Sequence, residues 1–282
     1  MPTNKQRREA AQRRLQRQLE RREQLARKRR RNLLVLVTVL AVLVVTGGVF
    51  LIAGLGKQSG AATAAGPTTS AAPSSGAAAA ATTNADGTVA CNYQPDTSGN
   101  TNLKDVGTPP NPQATPTQGT DTLLMSTNQG DLTLTLNRAS APCAAASFTY
   151  LAQQKFFDGS SCHREVNQPT FGVLQCGDPS GTGQGGPTYK YGEEVTASTT
   201  YPRGTIAMAK SSAPGTTSSQ FFLCFTDTQL PPQYTAVGTV DPAGLAVLDT
   251  IAKAGNDGSF EPSPGGGKPK IPVEIKTITV AG

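Results

Sequence analysis

Three short segments carry the side chains whose types and order could do chemistry. Arg164 ends the run SCHR, and Gln175 lies in the run LQCGD. Further along the chain, Gln220 and Phe222 lie in the run SSQFF. A guanidinium offers a rigid set of N–H donors and stays charged at any working pH, so Arg164 is the candidate for a fixed donor that polarises a bound group.

Strand alternation indicates that these side chains can share one cleft. Successive side chains of a β-strand point to opposite faces. Gln220 and Phe222 therefore lie on one face of their strand, and Val173 and Gln175 lie on one face of theirs. The residues between them would point into the interior of the domain.

Four ordered motifs resemble those of the cyclophilins. They are HR at 163–164, LQCGDPSGTGQGGP at 174–187, GTIAMAK at 204–210 and SSQFF at 218–222. The resemblance covers residues 121–282. It implies a peptidyl-prolyl cis-trans isomerase that acts on proline-containing polypeptides without a cofactor or a metal.

The resemblance also implies a role for each cleft residue. Arg164 would be the catalytic donor to the imide nitrogen of the rotating bond, and Gln175 would orient Arg164 and hold the peptide backbone. The substrate-binding set would comprise Gln220 on the peptide backbone, Phe222 as the floor of the proline pocket, Val173, Leu230 and either Phe171 or Gly172 as its walls, Ala209 beside the residue that precedes proline, and Tyr234.

The sequence departs from the family pattern at three points. The spacing between Arg164 and Gln175 is longer than in well-known members, so the pocket phenylalanine is ambiguous. Tyr234 stands at the position of the usual pocket histidine, and Gln229 stands where many members have the tryptophan that binds cyclosporin. We expect isomerase activity to tolerate these changes and cyclosporin binding to be weak.

Two further features favour structural interpretations. His163 is the only histidine, and the resemblance implies that it is a buried partner of the backbone. The glycine-rich run 177–186 lacks the Gly-Lys-Ser/Thr ending of a phosphate-binding loop, so we interpret it as a loop beside the cleft.

Hydrophobic periodicity predicts a mostly β domain. Leu123 and Met125 alternate with polar residues, and the same alternation resumes at 132–136 after a turn, which indicates a hairpin. Ser140 and Asp241 each precede a proline and an apolar stripe, which is typical of a helix start. The resemblance implies a closed cyclophilin-like β-barrel capped by two α-helices.

The net charge of +6 is unevenly distributed along the 282 residues. Residues 1–31 carry 13 Lys and Arg against 3 Glu, which leaves 12 basic and 16 acidic residues in the rest. We interpret residues 1–32 as a basic cytoplasmic tail that lies on anionic lipid, binds nucleic acid or only fixes the topology. The tail has no base-stacking aromatic residue, so we expect no nucleic acid partner.

The run 33–55 contains no charge and is 23 residues long. That length is enough to cross a hydrocarbon core of about 30 Å. The apolar core of a cleaved signal peptide is only about 7–15 residues, although 62–64 could serve as a cleavage site. We predict a single membrane span, with the N-terminus in the cytoplasm and the folded domain outside the cell membrane.

Residues 56–120 are rich in Ala, Thr, Ser, Gly and Pro. This composition predicts a flexible linker, because it offers too little apolar surface to offset the conformational entropy of the chain. Cys91 and Tyr93 interrupt the pattern and can dock back on the domain.

Outside the cytoplasm, the five cysteines can form disulfides. Strand alternation places Cys162 on the cleft side and Cys176 on the opposite side, so a direct bridge between them would require distortion. Our prediction is a Cys143–Cys176 bridge beneath the first helix and a Cys91–Cys162 bridge that ties the region of Cys91 to the barrel surface. Cys224 would remain a buried thiol.

Two functions of different classes fit these features. The first is a monomeric, membrane-anchored prolyl isomerase that assists the folding of exported or cell-envelope proteins. The second is a non-catalytic module that captures proline-containing segments in the same cleft. The presence of Arg164 favours the enzyme. A weaker hypothesis makes the basic tail the functional part and the barrel an accessory.

Overall fold

The computed structural model describes residues 83–281. The basic tail 1–32, the membrane span 33–55 and the first part of the linker, up to residue 82, lie outside the described residues. Between residues 83 and 281, no helix is both long enough and apolar enough to cross a membrane.

The described residues form a mostly β fold with two α-helices. The helices are α1 (Pro142–Gln153) and α2 (Pro242–Ala254). The strands are β1 (Thr88–Val89), β2 (Gln94–Pro95), β3 (Leu103–Lys104), β4 (Thr115–Pro116), β5 (Thr120–Thr127), β6 (Gly130–Asn137), β7 (Ser160–Ser161), β8 (Arg164–Gln168), β9 (Phe171–Cys176), β10 (Gly186–Pro187), β11 (Tyr189–Lys190), β12 (Thr205–Met208), β13 (Phe221–Cys224), β14 (Ala236–Val240) and β15 (Glu274–Val280).

Nine of these strands form one sheet in the order β7-β15-β5-β6-β14-β12-β13-β9-β8. The predicted hairpin is the pair β5 and β6, in which Met125 lies opposite Leu132 and Leu123 opposite Leu134. These four side chains are buried in the main core. The alternation of apolar and polar residues therefore sets which face of the hairpin packs inward.

The sheet curls into a half-barrel and does not close by strand pairing, which corrects the closed barrel predicted above. Its two edges are β7 and β8. Only Cys162 and His163 separate these strands along the chain, and β7 has just two residues. The two edges therefore lie near each other at this end, but among residues 83–281 no β-ladder joins them, and the backbone of β8 at Glu165 bonds Gly267 instead.

Each helix has a proline in its first turn, but the groups that accept its first N–H bonds differ. Asp241 caps α2, because its Oδ1 accepts the Gly244 N–H at 3.0 Å. At α1 the residue before the first turn is Ala141 and not Ser140, and its own side chain makes no cap. The Glu194 carboxylate instead accepts the N–H groups of Cys143 and Ala144, at 2.9 and 2.8 Å. A distant side chain therefore satisfies the start of α1.

Residues 83–120 differ from the flexible linker expected there. Strand β2 pairs with β11, and β3 pairs in parallel with β10. The Tyr93 ring packs edge-on against Tyr189 and Tyr191, with centroids 5.4 and 5.5 Å apart. The Tyr93 hydroxyl donates to the Cys143 carbonyl at 2.8 Å. These few contacts thus hold the segment on the domain, although its average composition offers little apolar surface.

Both predicted disulfide pairs are wrong. The bridges are Cys91–Cys143, with Cα atoms 5.4 Å apart, and Cys162–Cys176, with Cα atoms 4.0 Å apart. Cys162 precedes the first residue of β8, so strand alternation does not set its direction, and its side chain turns into the main core. Cys224 is buried and unpaired, as predicted.

We predict that the Cys91–Cys143 bridge holds the segment 83–104 on the domain. Replacing both cysteines with serine should lower the free energy of unfolding by about 2–4 kcal/mol, the usual contribution of a disulfide. Limited proteolysis should then cut first within 83–104. As a check that both bridges form, unreduced, denatured protein should take up one alkylating group, at Cys224, and peptide mapping should recover Cys91 linked to Cys143. Uptake at three or more cysteines would contradict the pairing.

Candidate active site

A cavity of about 540 Å³ lies on the outer face of the half-barrel. Eight of the nine residues predicted for the site line it: Arg164, Phe171, Val173, Gln175, Ala209, Phe222, Leu230 and Tyr234. The ninth, Gln220, lines an adjoining cavity and contacts Gln175. The structure thus brings all nine predicted residues together.

Three adjacent strands position these side chains. Arg164 of β8 lies opposite Gln175 of β9, and Gln175 lies opposite Phe222 of β13. Strand alternation then places Val173 on the same face. Of the two candidates for the pocket wall, Phe171 lines the cavity, whereas a side chain at Gly172 would meet Thr226 and Phe225 instead.

A chain of hydrogen bonds links the polar residues of the cleft. Arg164 Nη1 donates to Gln175 Oε1 at 3.1 Å, and Gln175 Nε2 donates to Gln220 Oε1 at 2.9 Å. Gln220 Nε2 in turn donates to the carbonyls of Gly183 and Gly185, at 3.1 and 3.0 Å. Each side chain is therefore held in one orientation by its neighbour.

The loop 256–269 holds the rest of the Arg164 guanidinium. Nε donates to the Gly265 carbonyl at 2.9 Å, and Nη2 donates to the Pro264 carbonyl at 2.8 Å. An arginine has five N–H donors. Three are engaged by these partners and Gln175, so one donor on each terminal nitrogen remains for a bound molecule. Burial lowers the pKa of Arg164 from its ordinary value, while Tyr234 and Glu261 oppose that shift.

The apolar part of the cleft is built around Phe222, which is 5% exposed. The Tyr234 ring meets it edge-on with the centroids 5.6 Å apart. Tyr201 fixes the backbone of Tyr234, because its hydroxyl donates to the Tyr234 carbonyl and accepts the Tyr234 N–H, both at 2.9 Å. The backbone of Tyr234, the residue that replaces the expected pocket histidine, is therefore fixed in place.

Asp178 shapes the glycine-rich loop beside the cleft. Its Oδ2 accepts the N–H groups of Gly183 and Gln184, at 2.6 and 3.0 Å, and its Oδ1 accepts two bonds from Ser180. Burial would raise the pKa of Asp178, but these hydrogen bonds together lower it. A side chain at Gly185 would overlap the Asp178 carboxylate, so that glycine permits the turn.

His163 lines the cleft and is 8% exposed. Its Nδ1 has no hydrogen-bond partner within residues 83–281, which differs from the backbone partnership implied above. Burial lowers its pKa from the ordinary value, so the imidazole is neutral at pH 7. In the same described range, no cluster of three or more His, Cys, Asp or Glu side chains could hold a metal ion.

Sequence reasoning missed several residues that line the cleft: Thr182, Gly183, Gln184, Lys210, Phe260 and Pro264. Lys210 follows a predicted residue, and the three residues 182–184 belong to a loop that was already placed beside the cleft. Phe260 and Pro264 lie in the loop between α2 and β15. No periodic pattern there indicates which residues approach Arg164.

Comparison with known proteins decides the family. The family model of the cyclophilin type peptidyl-prolyl cis-trans isomerase/CLD matches residues 122–280, which is more than half of the chain. This chain is a cyclophilin-type family member.

Mycobacterium tuberculosis provides two similar proteins. "Probable peptidyl-prolyl cis-trans isomerase B" is 46% identical over 166 residues, which cover 55% of this chain and 52% of that protein. The chain therefore matches about half the length of that relative. "Peptidyl-prolyl cis-trans isomerase A" is 31% identical over 179 residues, which cover 57% of this chain and 93% of that protein.

The crystal structure of a Cryptosporidium parvum cyclophilin type peptidyl-prolyl cis-trans isomerase resembles the folded domain. The TM-score is 0.50 at 27% sequence identity, and the match covers 58% of this chain and 99% of the other. The half-barrel with two helices is thus the cyclophilin fold.

One charged residue of this cyclophilin domain is buried without a partner. Glu165 is fully buried, and neither of its carboxyl oxygens has a hydrogen-bond partner within residues 83–281. Its backbone pairs with Gly267, at 2.8 and 3.0 Å, so it lies beneath the loop that holds Arg164. Desolvation raises the pKa of Glu165 to about 7, and the charge of Lys270 opposes this.

This burial predicts a pH-dependent stability. The pKa of Glu165 is higher in the folded state than in the unfolded state. Its contribution to stability is therefore fully present below the unfolded pKa and is lost as the pH rises through about 7. Between pH 5 and pH 8 the wild-type chain should lose up to about 3 kcal/mol more than Glu165→Gln. Urea denaturation at both pH values measures this. Glu274→Gln, at an exposed site, should behave as the wild type. Equal losses in wild type and Glu165→Gln would contradict the assignment.

Proposed function

We propose that this chain is a peptidyl-prolyl cis-trans isomerase and that Arg164 stabilises the rotating bond. The observation that carries the proposal is the guanidinium itself. It is fixed by three partners, keeps two free N–H donors, and faces the same cavity as the apolar floor formed by Phe222. Membership of the cyclophilin-type family supports the same activity.

The chemistry needs no nucleophile. The barrier to rotation of an Xaa-Pro bond is about 18–20 kcal/mol, because the amide C–N bond is partly double. As the bond twists, the imide nitrogen becomes pyramidal and its lone pair leaves conjugation with the carbonyl. A fixed N–H donor aimed at that lone pair binds the twisted state more tightly than either planar state, and this difference lowers the barrier.

The remaining cleft residues hold the substrate around that donor. Phe222, Val173, Leu230 and Phe171 would enclose the proline ring, and Tyr234 would close the far side. Gln175 and Gln220 would bind the peptide backbone while they hold Arg164 in line. The cleft would thereby hold the proline ring beside the fixed donor while the Xaa-Pro bond rotates.

A non-catalytic proline-peptide-binding module is the alternative. One observation favours it, since the carbonyls of Pro264 and Gly265 engage donors of Arg164 that an open site would leave free. The enzyme remains the better proposal, because one hydrogen bond to the imide nitrogen needs only one of the two free N–H donors.

We further propose that the protein is a monomer anchored in the cell membrane by residues 33–55, with the isomerase domain outside the cytoplasm. The uncharged run behind a basic segment supports the anchor. The two disulfides of the domain support an oxidising compartment. Exported or cell-envelope polypeptides would then be its substrates.

Replacing the donor tests the catalytic role. Arg164→Ala should lower the isomerisation rate constant by roughly 10²–10³, the usual loss for one preorganised donor. Arg164→Lys should not restore the rate, because an ammonium lacks the planar set of donors. NMR exchange spectroscopy on an Ala-Pro peptide reports turnover and affinity separately.

Phe222→Ala is the contrasting variant. It removes the floor of the pocket, so both affinity and rate should fall. If wild-type protein binds the peptide but leaves its exchange at the uncatalysed rate, the proposal of isomerase activity fails and the binding module is favoured.

The proposed anchor is tested by fractionation. The full chain should stay in the membrane fraction after an alkaline carbonate wash, and protease added to spheroplasts should remove the isomerase domain. Replacing two leucines of the run 33–55 with arginine should release the protein, because a charge at the centre of a span costs about 2.5–3.5 kcal/mol on insertion scales. Recovery of a soluble domain that begins near residue 65 would instead indicate cleavage.

A further inference from the structure

A second cavity of about 410 Å³ adjoins the proline cleft. The two cavities share five lining residues: Gln175, Gly183, Gln184, Ala209 and Lys210. On its far side the second cavity is lined by Asp96, Ser98, Asn100 and Leu103. These four residues precede the family match at 122–280, so this wall belongs to the additional N-terminal segment of this chain.

The wall is firmly attached to the domain. Asn100 Nδ2 donates to the Gln184 carbonyl at 2.7 Å, and Leu103 pairs with Gly186 in the parallel strands. The Asp96 N–H donates to the Thr188 carbonyl at 2.8 Å. The segment is therefore a fixed wall of the second cavity, and it also contacts the loop that lines the proline cleft.

The charges that line the second cavity leave one cation uncompensated. Asp96 lies 3.7 Å from Lys190 and forms an ion pair with it. Lys210 makes no ion pair within residues 83–281 and donates only to the carbonyls of Ser211 and Ala213, at 3.2 and 3.3 Å. An ammonium has three N–H donors, so one remains for a ligand at the boundary of the two cavities.

We propose that Lys210 and the N-terminal wall make the second cavity select substrates with an acidic side chain two residues before the proline. The inference rests on the proposed function, in which the residue that precedes proline lies beside Ala209. One residue further upstream is about 3.3 Å along an extended peptide, and Ala209 already lies at the boundary of the second cavity. A carboxylate there can reach Lys210, and on the wall Ser98 supplies a hydroxyl donor.

Matched peptides test the subsite. Peptides with Glu-Ala-Pro and Gln-Ala-Pro in the same flanking sequence differ only in that charge. The full chain should turn over the Glu peptide on the order of fivefold faster, judged by kcat/KM at low salt, as expected for one partly exposed ion pair. The ratio should fall towards one at high ionic strength, because salt screens exposed charges.

Variants at Lys210 assign the effect. Lys210→Met should bring the Glu/Gln ratio to about one, whatever the absolute rates become, and Lys210→Glu should favour a Lys-Ala-Pro peptide. Lys276→Met removes an exposed lysine on β15 that lines neither cavity, and it should keep the wild-type ratio. A Glu preference that survives in Lys210→Met would overturn the role of Lys210.

The N-terminal wall needs its own readout. In a ¹³C-methyl-labelled full chain, the Leu103 methyl signals should shift on addition of the Glu peptide, and Leu103→Ile assigns them. Unshifted Leu103 signals at saturation would exclude the wall from the subsite.

The outcomes separate this inference from the proposed function. Equal turnover of the Glu and Gln peptides would overturn the subsite and leave the isomerase intact. If neither peptide is turned over, the proposed function fails, and the ratio of their dissociation constants from the same NMR titration still decides for or against the acidic preference.

Discussion

The half-buried charge of Arg164 is the constraint on which the rest of the site depends. A guanidinium removed from water is tolerated only when hydrogen bonds replace its hydration. Its partners are Gln175 and the carbonyls of Pro264 and Gly265, so the outermost strand pair, β8 and β9, and a loop about 100 residues after Arg164 must meet at one point. The curled sheet satisfies this requirement, because β8 is an edge strand whose backbone at Glu165 also bonds the loop at Gly267.

The parts of the site that follow strand rules could be predicted from the sequence. Val173, Gln175 and Phe222 share a face because alternation is a property of any extended strand, and the register of three neighbouring strands brings them together. The loop that holds Arg164 could not be predicted in this way. Its contribution comes from the backbone carbonyls of Pro264 and Gly265, and carbonyls are present at every position, so no residue type marks them.

Two errors have one cause, which is that an average or a rule was applied beyond its range. The average composition of residues 56–120 predicts a flexible linker, whereas a disulfide at Cys91, the aromatic cluster at Tyr93 and the pairs of β2 and β3 anchor its described part. The disulfide assignment extended strand alternation to Cys162, which lies just outside β8. In both cases a few specific contacts, rather than a pattern along the chain, determine the structure.

The ordered segment before the family match bears on the proposed recognition of substrates. The family match contains every residue proposed to bind the proline itself, from Arg164 to Tyr234. The segment 94–104 lies before that match, yet Asn100 bonds the loop that borders the proline cleft. A wall that is fixed by a disulfide and two strand pairs loses little entropy when a peptide binds against it. In the proposed function, the cyclophilin fold would supply the rotation chemistry, and the segment 94–104 would select the sequences that approach the cleft.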